Sequence, residues 1–166
     1  MMKEMHAAGV QPNWYTWNAL LKAHSKLSDV AGARGVIDEM RAAGMQPHKY
    51  TWNRLLKACA NKSDAAGARA VMEEMRAAAV QPDMVTWNTL LKACVNKSDV
   101  ARAWAVMEEM RAAAMQPDMF TWNTLLDVYS NAADAAGARA VMEEMRAAGV
   151  QPEVMTWTTE IGIAHV

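Results

Sequence analysis

The sequence repeats itself with a period of 35 residues, and this period constrains the fold more than any other feature. The pair Thr-Trp occurs five times at this spacing, beginning at residues 16, 51, 86, 121 and 156. The pair Gln-Pro also occurs five times, beginning at residues 11, 46, 81, 116 and 151. Such a chain folds as an array of units that pack against their neighbours, so its 166 residues set the number of units rather than the size of one core.

These pairs divide the chain into four complete units between two partial ones. The complete units are unit 1 (residues 14–48), unit 2 (49–83), unit 3 (84–118) and unit 4 (119–153). Residues 1–13 form the tail of a preceding unit, and residues 154–166 form the first helix of an incomplete fifth unit. Neither end has the polar capping repeat that a solenoid needs, so we expect a fragment or ends that dock on another molecule.

Each unit has the pattern of two helices joined by short loops. In unit 3 the first helix is two-faced on a helical wheel, with an apolar side (Trp87, Leu90, Leu91, Cys94) and a polar side (Val85, Asn88, Lys92, Asn96). Ser98 or Asp99 then caps a second helix with a predicted buried stripe of Ala103, Val106, Met107, Met110 and Ala114. Short loops make the two helices antiparallel and neighbouring pairs stack, which predicts an all-α solenoid.

Charge is divided unevenly between the two helices, although the net charge is only −1. The first helices of units 1 to 3 contain no acidic residue and eight basic ones: Lys22, Lys26, Lys49, Arg54, Lys57, Lys62, Lys92 and Lys97. The second helices contain the acidic pairs. Because a solenoid places all first helices along one surface, we predict a basic stripe there. Asp127 interrupts the stripe in unit 4, at the position of Lys22, Lys57 and Lys92.

The residues favour binding over catalysis. The four histidines are scattered, and no nucleophile or carboxylate stands at a motif spacing from any of them, so we predict no enzyme activity, cofactor, metal or small-molecule substrate. One core position holds His24, Cys59, Cys94 and Tyr129 in successive units; neighbouring units lie roughly 10 Å apart, which favours buried packing over a shared metal ion. No apolar run reaches the roughly 18 residues of a membrane span, and the Met1 start lacks the plan of a signal peptide.

Three positions in each unit are candidates for ligand binding. The polar face repeats an asparagine (Asn18, Asn53, Asn88, Asn123), whose amide is suited either to a nucleobase edge or to a nearby backbone group. Three residues before it stands a flat or apolar residue (Tyr15, Tyr50, Val85, Phe120, Met155), suited either to base stacking or to contact with the neighbouring unit. The residue before each first helix varies in chemistry (Asn13, His48, Asp83, Asp118, Glu153), which indicates ligand contact in addition to helix capping.

These motifs resemble the pentatricopeptide repeat. The heptad at residues 85–91, V-T-W-N-T-L-L, is similar to the family pattern V-T-Y-N-T-L-I, and the segment 105–110 and the ending Gln116-Pro117-Asp118 also match. The resemblance implies a right-handed superhelix that binds single-stranded RNA, one base per repeat, in mitochondria or plastids. In the family, the first-helix amide and the last residue of the unit recognise the base, and the apolar residue one turn earlier stacks on it.

The resemblance assigns a role to each of these positions. It implies four base-recognition pairs: Asn18 with His48, Asn53 with Asp83, Asn88 with Asp118, and Asn123 with Glu153. The Asn-Asp pairs match the family's pairing for uracil and the other two are uncommon, so pyrimidine-rich RNA is the expected partner. It further implies base stacking by Tyr15, Tyr50, Val85 and Phe120, and contacts to the RNA backbone by Lys22, Lys26, Lys57 and Lys92. At the position of Lys26 the other units hold Asn61, Asn96 and Asn131.

A second class of function also fits the sequence: a non-catalytic scaffold or structural subunit of a large organellar protein complex. The near-neutral charge and the uncapped ends favour it. Trp104 favours it as well, because an exposed indole there, in place of the Arg34, Arg69 and Arg139 of the sister units, would suit a protein contact. We predict that those arginines pair with the acids four residues on, Asp38, Glu73 and Glu143.

Overall fold

The computed structural model describes residues 12–152, and this range contains eight α-helices and no strand. The first helices of the four units are α1 (Trp14–Lys26), α3 (Lys49–Asn61), α5 (Met84–Val95) and α7 (Met119–Asn131). The second helices are α2 (Val30–Ala42), α4 (Ala65–Ala77), α6 (Val100–Ala112) and α8 (Ala135–Ala147). Within this range no helix is long and apolar enough to cross a membrane.

The helix pairs stack in chain order. Each first helix contacts the second helix of its own unit, and the first helices contact one another in the series α1, α3, α5, α7. The second helices of units 1 to 3 also contact the next first helix, whereas no close backbone contact joins two second helices within residues 12–152. The first helices are therefore the more closely spaced row, and the stack curves toward them. The predicted all-α solenoid is confirmed.

Tight turns separate the two helices of each unit. The second helices begin at an aspartate N-cap, Asp29, Asp64, Asp99 or Asp134, which accepts a hydrogen bond from the backbone N–H three residues on. The residue before each cap lies in the left-handed region with φ of 50° to 55°. A second left-handed residue follows the end of each second helix, at Gly44, Ala79, Ala114 and Gly149. The prediction that Ala114 belongs to the buried stripe is wrong, because α6 ends at Ala112 and Ala114 lies exposed in this turn.

The core is one repeated layer between the two rows of helices. Trp17, Trp52, Trp87 and Trp122 are at most 1% exposed. The rest of the predicted core in unit 3 is buried as well, namely Leu90, Leu91, Cys94, Ala103, Val106, Met107 and Met110. Cys59 and Cys94 are free thiols, and burial raises the pKa of Cys94 to about 11. Within residues 12–152 no group of His, Cys, Asp or Glu is placed to hold a metal ion.

Arginines of the second helices cover the tryptophans of the following unit. The guanidinium carbon lies 5.3 Å from the ring centroid for Arg41 over Trp52, 5.4 Å for Arg76 over Trp87 and 5.6 Å for Arg111 over Trp122. At these distances the cation is attracted to the face of the indole. The four buried indole nitrogens have no hydrogen-bond partner among the described residues, so each tryptophan is held by packing and by its face rather than by its N–H.

A second set of arginines links the second helices to each other. Arg34 donates to Glu74 at 2.8 Å, and Arg69 donates to Glu109 at 2.8 Å. The prediction that these arginines pair with Asp38 and Glu73 is wrong, because their guanidinium groups extend across the gap to the next second helix instead of along their own. These pairs join neighbours whose backbones do not touch.

Trp104 and Tyr129 replace this link between units 3 and 4. The indole N–H of Trp104 donates to the Tyr129 hydroxyl at 2.6 Å. Trp104 is half-buried and Tyr129 is 8% exposed, so the expectation of an exposed protein-contact tryptophan is wrong. Glu144, left without an arginine at position 104, accepts a hydrogen bond from Arg111 at 3.3 Å. The two departures from the repeat therefore compensate each other.

Candidate functional site

A groove follows the first helices on the inner side of the stack. A cavity of about 740 Å³ in this groove lies along α3 and α5 and reaches the start of α7. Its lining combines apolar, amide, acidic and basic side chains: Tyr50, Val85, Phe120, Asn53, Asn88, Asp83, Asp118, Lys49, Arg54, Lys57 and Lys92. The structure thus brings together, in one cavity, the predicted recognition and stacking residues of units 2 and 3 and four of their six predicted basic residues.

The predicted stacking residues are exposed on this surface. Tyr15 is 81% exposed, Tyr50 42%, Val85 59% and Phe120 54%. Each is the second residue of its first helix, so the four apolar groups recur once per unit. Their exposure contrasts with the alternative interpretation, in which they are buried against the neighbouring unit. Tyr50 additionally carries Arg54, whose guanidinium carbon lies 4.7 Å from the ring centroid.

Asn53, Asp83 and Thr86 form a side-chain network where unit 2 meets unit 3. The Asn53 amide donates from Nδ2 to Asp83 Oδ1 at 3.3 Å, and its Oδ1 accepts from the Thr86 hydroxyl at 2.7 Å. Asp83 is also the N-cap of α5, because Oδ1 accepts from the Thr86 backbone N–H at 3.0 Å. The Thr86 hydroxyl in turn accepts from the Asp83 backbone N–H at 3.1 Å, which completes a capping box.

The same network recurs where unit 3 meets unit 4. Asn88 donates to Asp118 at 3.4 Å and accepts from the Thr121 hydroxyl at 2.7 Å. Asp118 caps α7 with a second capping box to Thr121. Asn88 is only 8% exposed, because it lies at the floor of the groove, where it lines the cavity and is largely covered by the next unit. We call these two networks the aspartate junctions.

The carboxylate and the threonine together determine how each amide is oriented. An ionised carboxylate only accepts hydrogen bonds, so the group of Asn53 that faces Asp83 is its NH₂ and the group that faces Thr86 is its carbonyl. One N–H of the amide remains for a ligand. Partial burial alone would raise the pKa of Asp83, but hydrogen bonds from the Thr86 backbone, Lys49, the Thr86 hydroxyl and Asn53 together hold this pKa below its usual value.

The corresponding place between units 1 and 2, which we call the histidine junction, lacks this network. His48 caps α3 by accepting from the Tyr50 backbone N–H at 3.2 Å, one residue short of the bond that aspartate makes. Its ring packs on Trp14, with centroids 3.5 Å apart, and partial burial lowers its pKa. The Asn18 carbonyl oxygen and the Thr51 hydroxyl are both buried without a hydrogen-bond partner. The predicted partners Asn18 and His48 therefore form no hydrogen bond with each other.

The fourth predicted pair is only partly described. Asn123 is half-buried at the equivalent position of α7. Its predicted partner Glu153 lies outside the described residues, as do Met155 and the pair Thr156-Trp157.

The predicted RNA-backbone lysines Lys22, Lys26, Lys57 and Lys92 are all exposed. The asparagines at the position of Lys26 have structural partners in the preceding unit. Asn61 donates to the Ser25 carbonyl at 3.0 Å, Asn96 to the Ser63 hydroxyl at 2.7 Å and Asn131 to the Val95 carbonyl at 3.2 Å. These amides join successive units where their first helices end, which explains why three units have asparagine there.

Sequence reasoning missed Thr86 and Thr121 as members of the site. Both were visible as the threonine of the repeated Thr-Trp pair, but the wheel of a single helix does not show that this hydroxyl contacts an amide of the preceding unit. The one signal in the sequence was that threonine recurs at this position in every unit, because a buried hydroxyl usually has a hydrogen-bond partner.

Comparison with known proteins agrees with this architecture. Two overlapping segments, residues 1–98 and 62–161, match the family model described as the pentacotripeptide-repeat region of PRORP. Together they cover nearly the whole chain, and the chain belongs to the pentatricopeptide-repeat family. No match was found among curated proteins.

Solved structures of this family are similar to this structure. The crystal structure of the pentatricopeptide repeat protein PPR10 from maize is 27% identical with a TM-score of 0.82; it matches over 96% of this chain and 23% of its own. The repeat domain of Arabidopsis thaliana protein-only RNase P 1, solved in complex with tRNA, is 25% identical with a TM-score of 0.70, over 87% of this chain and 77% of its own. PPR10 in complex with an 18-nt psaJ RNA element is 22% identical with a TM-score of 0.54 and supports the fold alone. The chain thus spans less than a quarter of the maize protein.

Proposed function

We propose that this chain binds single-stranded RNA along the first-helix groove, with one base per unit and a preference for uracil opposite units 2 and 3. The observation that carries the proposal is the pair of aspartate junctions, which place an oriented asparagine amide at the groove floor once per unit. Exposed apolar side chains at Tyr50, Val85 and Phe120 separate successive amides. This spacing suits bases that stack between the apolar groups and touch one amide each.

The chemistry of the amide supports a carbonyl-bearing base. Asn53 uses one N–H for Asp83 and its carbonyl for Thr86, which leaves an N–H as the group available to a base. An N–H donor matches a carbonyl oxygen such as O4 of uracil and opposes the amino group that cytosine has at the same place. The family resemblance also associates the Asn-Asp pairing with uracil. A preference for uracil follows at the positions opposite units 2 and 3.

Charge in the groove supports a polyanionic partner. Arg54, Lys57 and Lys92 line the same cavity as the two aspartates, and Lys49 already pairs with Asp83 at 3.1 Å. A second cavity of about 360 Å³ adds Lys26 beside Lys92. Phosphates along this row would release counterions on binding, so affinity is expected to fall as salt rises.

The proposal assigns this chain a binding role in organellar RNA metabolism, without catalysis. One relative, the repeat domain of Arabidopsis thaliana protein-only RNase P 1, was solved in complex with tRNA, which supports an RNA partner for this chain. The alternative of a protein scaffold has lost one of its arguments, because Trp104 is bonded to Tyr129 instead of being exposed. We therefore propose RNA as the partner. A structure with a helix of another protein in the groove would favour the scaffold instead.

A binding assay with oligo-U and oligo-A at two salt concentrations tests the proposal. We expect tighter binding of oligo-U, weaker binding of both at high salt, and a loss of roughly 1 kcal/mol or more per position in the double variant Asn53→Ala, Asn88→Ala. Glu73→Ala, on the second-helix side, is the matched control and should bind as the unaltered chain does. Equal binding of the two RNAs, together with no effect of the double variant, would overturn base recognition.

A further inference from the structure

We propose that Thr86 and Thr121 are positioning residues that fix base preference in the unit before their own. The inference rests on the proposed function and deepens it, since it concerns the same asparagines. Each threonine belongs to one unit and bonds the amide of the preceding one: Thr86 to Asn53 and Thr121 to Asn88, both at 2.7 Å. The group that recognises a base is then built across the junction by three residues and not within a single unit.

The hydrogen bonds around Thr86 show how its hydroxyl is aimed. The oxygen accepts from the Asp83 backbone N–H at 3.1 Å, so this lone pair is used. The single hydroxyl proton lies between Asn53 Oδ1 at 2.7 Å and Asp83 Oδ1 at 2.9 Å. Because Asp83 Oδ1 also accepts from the Thr86 backbone and from Asn53, the amide carbonyl is the acceptor with the greater need. The capping box of α5 thereby directs the threonine at the amide.

The chain itself contains the contrasting case. Thr51 occupies the equivalent position at the histidine junction and is fully buried, yet its hydroxyl has no partner. Asn18, the amide it would hold, also has an unpartnered carbonyl oxygen. The difference is the N-cap: His48 accepts from Tyr50 and forms no capping box with Thr51. A buried threonine alone is therefore insufficient, and the aspartate cap is what engages it.

Orientation has a direct consequence for base choice. With its carbonyl held by Thr86, Asn53 offers an N–H to the groove, which suits uracil. If the amide were free to turn, it would offer its carbonyl and accept from the amino group of cytosine. Loss of the threonine hydroxyl is thus expected to narrow the gap between uracil and cytosine more than it lowers affinity for uracil itself.

The experiment compares eight-nucleotide oligo-U and oligo-C binding in three variants. Thr86→Val removes the hydroxyl at nearly constant shape, and we expect the U-to-C affinity ratio to fall about twofold to tenfold, the range of one hydrogen bond. Thr86→Ser keeps a hydroxyl and should restore the ratio. Thr51→Val is the matched control, because its hydroxyl has no partner, and should leave the ratio unchanged. An unchanged ratio in Thr86→Val, or an equal fall in Thr51→Val, would overturn the inference.

A second measurement needs no RNA and separates this inference from the proposed function. Side-chain ¹⁵N order parameters should be high for the Nδ2 groups of Asn53 and Asn88 and lower for Asn18, and Thr86→Val should lower the value for Asn53 alone. If the chain bound no RNA but these values were found, the proposed function would fail while the positioning role held. If Asn53 stayed as ordered in Thr86→Val as before, the positioning role would be wrong whatever the RNA result.

Discussion

The histidine junction and the aspartate junctions occupy equivalent places in the solenoid and differ chiefly in one residue. With Asp83, the cap, the threonine and the asparagine share a connected set of hydrogen bonds. With His48, the cap bonds a different N–H, and the Thr51 hydroxyl and the side-chain oxygen of Asn18 have no hydrogen-bond partner among the described residues. A single side chain therefore influences both the start of the next unit's first helix and the orientation of the asparagine amide in its own unit.

The physical reason lies in the number and direction of acceptors. A carboxylate has two oxygens, so Asp83 accepts from the Thr86 backbone and Asn53 through Oδ1 and pairs with Lys49 through Oδ2. A neutral imidazole has one acceptor nitrogen, which His48 uses for the Tyr50 N–H, while its ring packs on Trp14. The histidine junction therefore has the ring contact between His48 and Trp14 in place of the hydrogen-bond network of the aspartate junctions.

The largest effect is expected from breaking an aspartate junction with Asp83→His. This change removes the capping box and leaves Asn53 and Thr86 as unpartnered as Asn18 and Thr51 are now, at a cost of about 1–2 kcal/mol in unfolding free energy. Urea unfolding and hydrogen exchange at the start of α5 measure the cost. Asp83→Asn separates the capping role from the role of the charge, because asparagine can still cap α5 but is neutral. Its unfolding free energy should lie between those of the unaltered chain and Asp83→His. Full retention of stability and of U preference in Asp83→His would contradict the comparison.

The reverse change, His48→Asp, should build the missing network. A carboxylate at this position can accept from the Thr51 N–H and from Asn18, so we expect a gain of about 1 kcal/mol in stability and a new uracil preference opposite unit 1. The gain is smaller than the loss above because the contact between His48 and Trp14 disappears. A structure of the variant would show whether Asn18 and Thr51 become partnered. His48→Ala serves as the control and should give neither gain.

A charge change away from the junctions can separate the electrostatic attraction of RNA from the recognition of its bases. Asp127 stands exposed in unit 4 where lysine stands in the other units. Asp127→Lys should raise RNA affinity at low salt and steepen the salt dependence by a slope of about 0.7 for each additional phosphate contact. The ratio of U to A binding should stay constant. A shift in the ratio of U to A binding would mean that charge at this position also affects base recognition. As a control, Asp127→Asn should give part of the gain in affinity.

The smallest expected effect concerns pH at the histidine junction. The pKa of His48 is lowered from 6.5 by partial burial, so the folded state favours the neutral ring. Its contribution to stability is therefore present above pH 6.5 and is lost as the pH falls through and below that value. His48→Gln, which does not titrate, should remove this part of the pH dependence. The free energy of unfolding measured against pH for both proteins checks this. If the unaltered chain became more stable than His48→Gln on acidification, the prediction would be contradicted.

Much of the fold was predictable because each unit repeats the same local signals. The apolar stripe containing Trp87, Leu90 and Leu91 predicted the core, and the sequence placed the cap of the second helix at Ser98 or Asp99, of which the structure has Asp99. The partners of the second-helix arginines were not predictable from helical spacing. Arg34 and Arg69 each stand four residues before an acid of their own helix in the sequence, yet they pair with Glu74 and Glu109 of the next second helix. Only the stacking of the second helices decides which acid each guanidinium contacts.

By itself, the sequence determined the repeated helix pair, its apolar face and the residues that vary at the groove, because these depend on periods within one helix and on caps a few residues apart. The tertiary structure alone decided that Asn88 is covered, that Thr121 holds its amide, and that Trp104 meets Tyr129. These contacts join residues 25 to 33 positions apart on different helices. Their distances are set by how the units stack, which no single unit specifies.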